Sequence, residues 1–319
     1  MKNDYEAFKR FDEEYIKFPP FLKALEAMED SIALFRSTGI AQHLLVLGES
    51  GTGKSSLCHL LGHKYPRMRH DEYDVCPVLY VPIPPAATIS GVASAMLDNL
   101  GDEWPTIGNT TEKMARIEHL HRKCGVELTL FDEAQHLHDR GQAATHYMVG
   151  DWIKSFIDKT GRPSVFLGLP RLEQLLQINE QLRRRFSRRL RLALGQSDEL
   201  SVHEESLQLF LSLGQALPIP LDFQCFETPQ MAKRIFYATD GRVAYVKKML
   251  GSALRLASRT HCTLIDAQVL EDVFTYEIWP EGIGALNPFN ERFEFRRLDR
   301  GGEPFQRGDA GGAIVRKRR

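Results

Sequence analysis

The sequence predicts an α/β fold in which helices flank a parallel β-sheet and a small helical domain follows. Between about residue 43 and residue 196, short apolar runs alternate with segments of helical periodicity, a pattern typical of parallel strands joined by helical crossovers. From about residue 197 the strand pattern ends, and four amphipathic helical segments follow. The predicted strands are residues 43–47, 77–82, 126–133 and 164–168.

The same patterns divide the 319 residues into four regions. Residues 1–42 are predicted as a helical segment that packs on the core, and residues 43–196 as the α/β domain. Residues 197–278 are predicted as a helical lid. Residues 279–319 are predicted as a basic, flexible tail, because Gly, Pro and Arg replace the helical periodicity there.

The overall charge is nearly balanced, with 41 Lys and Arg against 42 Asp and Glu. Any binding to nucleic acid must therefore come from local clusters of charge.

The five cysteines are widely spaced and form no C-x-x-C pair, which favours reduced thiols in the cytosol over a disulfide framework or a zinc site. The first residues are charged, and no apolar run approaches the roughly 18 residues of a membrane span, so we expect neither export nor membrane anchoring.

A glycine-rich loop lies between the first predicted strand and the helix that follows it. It reads Gly-Glu-Ser-Gly-Thr-Gly-Lys-Ser, which is the pattern of a phosphate-binding P-loop in its strand–loop–helix setting. The glycines let successive backbone N–H groups point into one concavity, and the helix N-terminus adds positive charge. We expect Lys54 to reach the β- and γ-phosphates and Ser55 to hold Mg²⁺. The residues predicted to surround the nucleotide are Gly48, Glu49, Ser50, Gly51, Thr52, Gly53, Lys54, Ser55 and Ser56.

An acidic pair, Asp132 and Glu133, ends the third predicted strand. Parallel strands deliver their carboxyl ends to one edge of a sheet, so these side chains should lie near the P-loop. Asp132 is predicted to hold Mg²⁺, and Glu133 to polarise the attacking water as general base. The alternative is that the two acids only cap the next helix.

Arginines provide two further candidates. Residues 181–192 contain six arginines, and Arg185 is predicted to complete the ATP site of a neighbouring subunit. The other arginines could contact DNA phosphates or acidic residues across a subunit boundary. The alternative is that the segment forms a solvated basic face. Arg242 opens a helix of the predicted lid, where a cation could sense the nucleotide phosphates across a domain cleft. An ordinary exposed arginine is the alternative.

With these motifs in this order, the chain resembles the AAA+ ATPases, and more closely the transposition regulators of the TnsC/TniB family. The P-loop and the acidic pair are shared by ATPases at large, whereas the longer sequence Asp-Glu-Ala-Gln-His-Leu and the chain length favour this family. The segments that carry the resemblance are residues 48–55, 128–137, 167–170, 182–186 and 241–250.

The resemblance implies an AAA+ P-loop core with a small C-terminal helical lid and an ATP site between subunits. It implies ATP and Mg²⁺ as cofactors, and assembly on duplex DNA as rings or helical filaments that link target selection to a transposase. Contacts to DNA phosphates are then expected from Lys113, Arg116 and Arg140. The aromatic residues of the tail are expected to dock on the transposase or on a target-selector protein; they are Phe289, Phe293, Phe295 and Phe305.

One position departs from the family pattern. Many AAA+ proteins carry Asn, Ser or Thr at the tip of the strand where this chain has Gly168. Either the attacking water is held differently here, or hydrolysis is slow.

Two other functions stay open. One is a helicase loader or initiator-like ATPase, which should add a sequence-reading DNA domain. The other is a nucleotide-switched scaffold without turnover, against which Glu133 argues.

Overall fold

The computed structural model describes residues 9, 11, 18–70, 74–85, 88–137, 143–178, 180–197 and 199–306. The chain divides into two compact units. The α/β unit is Tyr15–Ala193, and the helical unit comprises Leu194–Arg319 together with Met1–Glu14. Most of residues 1–17, and so most of the start of the predicted N-terminal segment, lie outside the described residues.

The α/β unit contains a five-stranded parallel sheet in the order β4-β5-β6-β1-β7. Its strand β6 lies between the strand that precedes the P-loop and the strand that carries the acidic pair. A two-residue antiparallel ribbon is separate from this sheet. The strands are β1 (Leu44–Leu47), β2 (Met68–Arg69), β3 (Asp74–Val75), β4 (Val78–Pro82), β5 (Leu128–Asp132), β6 (Ser164–Gly168) and β7 (Arg188–Arg191).

Helices precede, connect and follow these strands. The first of them buries one face, including Phe21, Met28 and Ile32, as the apolar spacing predicts. Another begins with a capping box, in which Asn109 accepts from the backbone of Glu112 and the Glu112 side chain accepts from Asn109. The helices are α1 (Pro19–Thr38), α2 (Lys54–Lys64), α3 (Ile89–Leu100), α4 (Thr110–Lys123), α5 (Ala143–Thr160), α6 (Glu173–Ile178) and α7 (Glu180–Arg185).

An aromatic cluster fills the core behind the acidic strand end. Phe131 on β5 stacks on Phe166 of β6 with ring centroids 4.6 Å apart. Phe156 of α5 meets Phe131 edge-on at 5.6 Å, and Phe186 meets Phe166 edge-on at 5.0 Å. Because all five residues of β5 are buried, this strand has little freedom to shift, and Asp132 at its end has a fixed position.

The helical unit begins after the sheet. Its first helix has a capping box between Ser201 and Glu204, and its third starts with Thr228 as N-cap and Pro229 in the first turn. A π-helical turn, Phe274–Ile278, follows the last α-helix, and a 3₁₀ turn occupies Gly284–Leu286. The α-helices are α8 (Val202–Gly214), α9 (Phe223–Phe226), α10 (Pro229–Thr239), α11 (Val243–Thr260) and α12 (Ala267–Val273).

The prediction of a flexible tail is wrong for residues 279–306, which pack on the helical unit. Arg234 of α10 donates to the carbonyls of Pro288 and Asn290, both at 2.6 Å. Three of the four aromatic residues that were expected to dock on a partner are instead buried in their own unit, since Phe289, Phe293 and Phe305 are 7%, 4% and 2% exposed. The fourth, Phe295, is half-buried. Residues 307–319 of the predicted tail lie outside the described residues.

None of the helices in the described ranges is long and apolar enough to cross a membrane.

His43, just before β1, is a buried titratable group. Its ring lies 5.5 Å from that of Phe186, and its Nδ1 has no hydrogen-bond partner among the described residues. Burial, aided by the charge of Arg185, lowers the pKa of His43 to about 4. Because the unfolded chain binds the proton near pH 6.5, stability from this group is complete above that pH and is lost as the pH falls towards 4.

We expect the His43→Phe variant to lose less stability in acid than the parent protein. Phenylalanine keeps the ring contact and removes the titration, so the loss in unfolding free energy between neutral pH and about pH 5 should shrink by about 2 kcal/mol. Urea denaturation at both pH values measures this. The exposed His63 provides the control, since His63→Phe should leave the pH dependence as it is. Equal pH dependence in parent and His43→Phe would contradict the assignment.

Candidate nucleotide-binding site

The loop between β1 and α2 has a conformation that depends on its glycines. Gly51 and Gly53 have φ angles of 79° and 96°, in the left-handed region that disfavours other residues. At Gly48 a Cβ atom would lie 2.3 Å from the Oγ1 of Thr52, which itself donates to the carbonyl of Glu49 at 2.9 Å. The loop is therefore wound closely on itself, and a side chain at any of these glycines would disturb it.

Lys54, the first residue of α2, is buried beneath the loop and only 5% exposed. Its Nζ donates to the carbonyls of Gly48 at 2.9 Å and Glu49 at 3.0 Å. Burial lowers the pKa of Lys54, while the charges of Glu133 and Asp132 act in the opposite direction. A buried ammonium group held by neutral carbonyls is suited to an anionic ligand, and a phosphate at the loop would supply its counter-charge.

Asp132, at the end of β5, accepts hydrogen bonds at both carboxylate oxygens. Ser55 Oγ donates to its Oδ2 at 2.6 Å, and the Tyr80 hydroxyl donates to the same oxygen at 3.2 Å. The backbone N–H of Glu133 donates to Oδ1 at 2.9 Å. Burial, together with the Asp132 charge, raises the pKa of Tyr80, so the phenol stays protonated and remains a donor. The sequence carries no signal that assigns Tyr80 to this site.

The residues predicted to bind Mg²⁺ fit that ion. The Ser55 hydroxyl and the Asp132 carboxylate converge within hydrogen-bond distance, and both offer the hard oxygen ligands that Mg²⁺ prefers. These two groups would hold the ion, next to the loop that would hold the phosphates. The structure thus brings together Lys54, Ser55, Asp132 and Glu133 as the sequence predicts, although their roles remain predictions.

Glu133 stands on a turn immediately after β5, with φ of 54°. Its side chain is 45% exposed, and its Oε2 lies 4.0 Å from Nε2 of His136. Gln135 Nε2 donates to the same carboxylate oxygen. Gln135 is itself only 1% exposed, and its Oε1 accepts from the backbone N–H of Leu169 at 3.1 Å. From the sequence, Gln135 enters only as part of the family motif and has no assigned role, because its contact to Leu169 spans 34 positions.

Arg185, the predicted finger, ends α7 in the α/β unit. Its Nη2 lies 2.6 Å from Asp158 Oδ1 of the same chain, and its side chain is 29% exposed. The next residue, Phe186, is buried in the aromatic cluster, which fixes the backbone at this point.

Most of the neighbouring arginines also have partners within the chain. After α7 the arginine-rich segment continues as the edge strand β7, with side chains alternating between its two faces. The contacts are Arg184 to Glu180, Arg188 to Gln42, and both Arg189 and Arg191 to Glu173. Three carboxylates, those of Glu180, Asp158 and Glu173, thus pair with four of the six arginines.

Arg242 lies in the helical unit, as the N-cap residue of α11. Its guanidinium pairs with Asp240 at 3.0 Å, and its side chain is 13% exposed. Asp240 also pairs with Arg297 from the segment after the helices. Its sensing role remains a prediction, and Arg242 is not the ordinary exposed arginine of the alternative.

The predicted DNA contact of Lys113 is not supported by the structure. Lys113 is 3% exposed, and its Nζ donates to the hydroxyls of Ser90 and Ser94, both at 2.9 Å. Its position on α4 turns it towards α3, which the sequence could not reveal. The ammonium group links α4 to α3 through these two hydrogen bonds, and its burial keeps it out of reach of a phosphate.

Arg116 is also used within the chain. It donates to the carbonyls of Trp104 at 3.2 Å and Ile107 at 2.7 Å and pairs with Asp102 at 3.3 Å. These contacts hold the loop before α4 and give Arg116 a structural role, while its contact to DNA stays a prediction. The third predicted residue, Arg140, lies outside the described residues.

A P-loop beside an acidic strand end, on a five-stranded parallel sheet followed by a helical unit, defines the AAA+ class of P-loop ATPase folds. Within it, the family described as bacterial TniB protein matches residues 9–192, more than half of the chain. The chain belongs to the TniB family. Among curated proteins, none matches its sequence.

Several solved structures share this fold, among them proteins of Aeropyrum pernix and Pyrobaculum aerophilum. The Aeropyrum pernix ORC2 protein, in ADPNP and ADP complexes, is 15% identical with a TM-score of 0.58 over 83% of this chain and 70% of that one. Cdc6p from Pyrobaculum aerophilum is 14% identical with a TM-score of 0.59, over 82% and 69%. The Aeropyrum pernix ORC1 protein in complex with DNA is 15% identical with a TM-score of 0.55, over 81% and 65%. At this identity the likeness shows the fold.

We expect Tyr80→Phe to raise about tenfold the Mg²⁺ concentration needed for half-maximal nucleotide binding, because a donor that orients Asp132 is lost. Titration of Mg²⁺ against a fluorescent ATP analogue measures the change. Tyr65, at the far end of α2, serves as the control, and Tyr65→Phe should bind as the parent does. If both variants need the same Mg²⁺ concentration, the hydrogen bond from Tyr80 does not orient Asp132.

Proposed function

We propose that the protein is an ATP-hydrolysing, DNA-binding regulator of transposition. It assembles with copies of itself as a ring or filament on duplex DNA and couples the choice of target site to a transposase. The observation that carries the proposal is the convergence of Lys54, Ser55, Asp132 and Glu133 in a chain of the TniB family.

The chain's own groups account for binding and for activation of water. The N–H groups of the loop and the α2 N-terminus hold the phosphates, and Lys54 supplies a buried positive charge at the terminal phosphates. Glu133, half-exposed beside Asp132, accepts a proton from the attacking water. Mg²⁺ held by Ser55 and Asp132 would neutralise part of the negative charge that develops on the phosphates.

DNA binding and self-assembly are supported by the family and by the fold. The ORC1 structure of the same fold is a complex with DNA, although that contact belongs to that protein. In this chain the buried Lys113 is engaged internally, so the basic contacts must come from other groups. Binding should be sensitive to salt and nearly indifferent to sequence, as phosphate contacts are.

A second candidate is an initiator-like or helicase-loading ATPase, favoured by the fold shared with the ORC and Cdc6 proteins. A third is a nucleotide-switched scaffold without turnover. The family match favours transposition over the second candidate, and the placement of Glu133 beside Asp132 favours turnover over the third. Direct binding to a transposase, and none to a replicative helicase, would separate the first two.

Two substitutions at the site should separate nucleotide binding from hydrolysis. Lys54→Ala removes the phosphate contact, so ATP-dependent DNA binding should be lost. Glu133→Gln keeps the contacts but removes the base, so turnover should fall by at least about a hundredfold while the ATP-bound assembly persists on DNA. Steady-state ATPase assays measure turnover. Gel shifts of random duplex DNA with ATP, ADP or no nucleotide, with negative-stain microscopy of the same samples, measure DNA binding and assembly.

Three outcomes would count against this function. Nucleotide-independent DNA binding would remove the proposed control by ATP. A parent protein that stays monomeric with Mg²⁺, ATP and long duplex DNA would remove assembly. Similar behaviour of Lys54→Ala and Glu133→Gln would remove the catalytic role of Glu133.

The proposed finger predicts that Arg185→Ala lowers the DNA-stimulated turnover about a thousandfold, because the charge on the transferred phosphate loses its partner. The matched control is Asp158→Asn, which breaks the in-chain ion pair but keeps the arginine, and should hydrolyse ATP at nearly the parent rate. Steady-state ATPase assays with DNA measure both. Equal losses in the two variants would show that Arg185 serves the fold of its own chain.

A further inference from the structure

We propose that Gln135 is the positioning residue that aims the Glu133 carboxylate for hydrolysis, and that Gly168 is glycine to leave room for it. The inference rests on the proposed ATPase function and adds a residue to it. The evidence is one buried amide that joins the tip of β6 to the carboxylate after β5.

Both ends of the Gln135 amide are occupied, which fixes its orientation. Its Oε1 accepts from the Leu169 backbone N–H at 3.1 Å, so its NH₂ group must face the other way. On that side it donates to Oε2 of Glu133. A side chain that is 1% exposed and bonded at both ends has little rotational freedom, so it transmits the position of β6 to the carboxylate.

Glu133 needs such an anchor. It stands on a turn with φ of 54°, outside the regular part of the strand, and nearly half of its side chain is exposed. A glutamate in that setting samples several rotamers, and only some of them point its carboxylate at one place. Gln135 binds one carboxylate oxygen in the described structure, which leaves the other oxygen able to accept the proton of water.

Gly168 is the position that makes this arrangement possible. A Cβ atom there would lie 2.8 Å from Gln135 Oε1, 3.1 Å from the Gln135 backbone nitrogen and 2.9 Å from Leu172 Cδ2. Any side chain at Gly168 would therefore displace the amide. The carbonyl of Gly168 also accepts from the N–H of Gly48 at 3.0 Å, so the same residue ties the P-loop to this frame.

The P-loop and the carboxylate thus share one reference point. Gly48 is fixed to Gly168, and Glu133 is fixed through Gln135 to Leu169, the next residue. A phosphate held by the loop and a water aimed by Glu133 would then keep a constant relation to each other. Near-attack geometry of this kind contributes to the rate of the chemical step more than to ground-state binding.

The test uses the full chain with duplex DNA and Mg–ATP. Gln135→Met keeps the length of the side chain and removes the amide. We expect kcat to fall about 10- to 100-fold while KM for ATP and the Kd of a fluorescent ATP analogue change less than about threefold. The control is Gln174→Met, an exposed glutamine on α6, which should leave kcat as it is. Thermal melting of each variant shows whether the fold is intact.

A double-mutant cycle with Gly168→Ala distinguishes positioning from loss of structure. The added methyl group should displace Gln135 and lower kcat by a similar factor. The double variant Gln135→Met/Gly168→Ala should then be no slower than the slower single variant, because both changes break the same link. Two independent structural defects would multiply, and that result would overturn the inference.

Other outcomes are equally decisive. An unchanged kcat in Gln135→Met overturns the inference. A raised kcat also overturns it, because it would show that the amide holds Glu133 in an unproductive position. A fall in kcat that is matched by a weakened Kd and a lowered melting temperature overturns it too. These results leave the ATPase function standing as long as the parent hydrolyses ATP and Lys54→Ala does not. A parent without Lys54-dependent hydrolysis overturns both.

Discussion

The hydrogen bond from Ser55 to Asp132 is the contact on which the rest of the site depends. It joins residues 77 positions apart, at 2.6 Å, and brings the first turn of α2 against the end of β5. Both groups are ligands that a divalent cation could take over. Because Asp132 also accepts from Tyr80 and from the Glu133 backbone, its carboxylate is oriented before any ligand arrives. Such preorganisation lowers the cost of binding charge at this edge of the sheet.

The order of the sheet explains why the contact forms there. With β6 between β1 and β5, the P-loop and the acidic pair are separated by one strand, whose tip lies between them. That tip is Gly168, and its lack of a side chain makes room for Gln135. The departure from the family pattern at this position therefore has a steric cause in this chain. The aromatic stack of Phe131 on Phe166 holds the two strands in register behind the site.

The sequence predicts the parts of this protein that are local. The P-loop, its strand and its helix lie within about twenty residues, and the acidic pair follows an unmistakably apolar strand. Features that depend on distant contacts were missed or misjudged. Lys113 reads as a cation on a helix, and only its packing shows that its ammonium group is enclosed by two serines. From the sequence, the aromatic residues after α12 fit either a docking tail or a folded segment. The structure shows a folded segment, in which Arg234 donates to the carbonyls of Pro288 and Asn290. The role proposed for Gln135 depends on its hydrogen bond to Leu169, which follows β6 and lies 34 residues further along the chain.

The in-chain pairing of Arg185 is compatible with a role at a neighbouring subunit. Asp158 is 46% exposed and Arg185 29%, so their ion pair is one of the partly solvated kind that contributes at most about 1 kcal/mol. A phosphate carries more charge than a carboxylate and accepts several N–H donors, so exchange of partners would favour the phosphate. Phe186 anchors the backbone beside the arginine, which leaves the side chain as the part that moves. In the proposed assembly, breaking this weak pair would cost Arg185 little, and a neighbour's nucleotide would be the stronger partner.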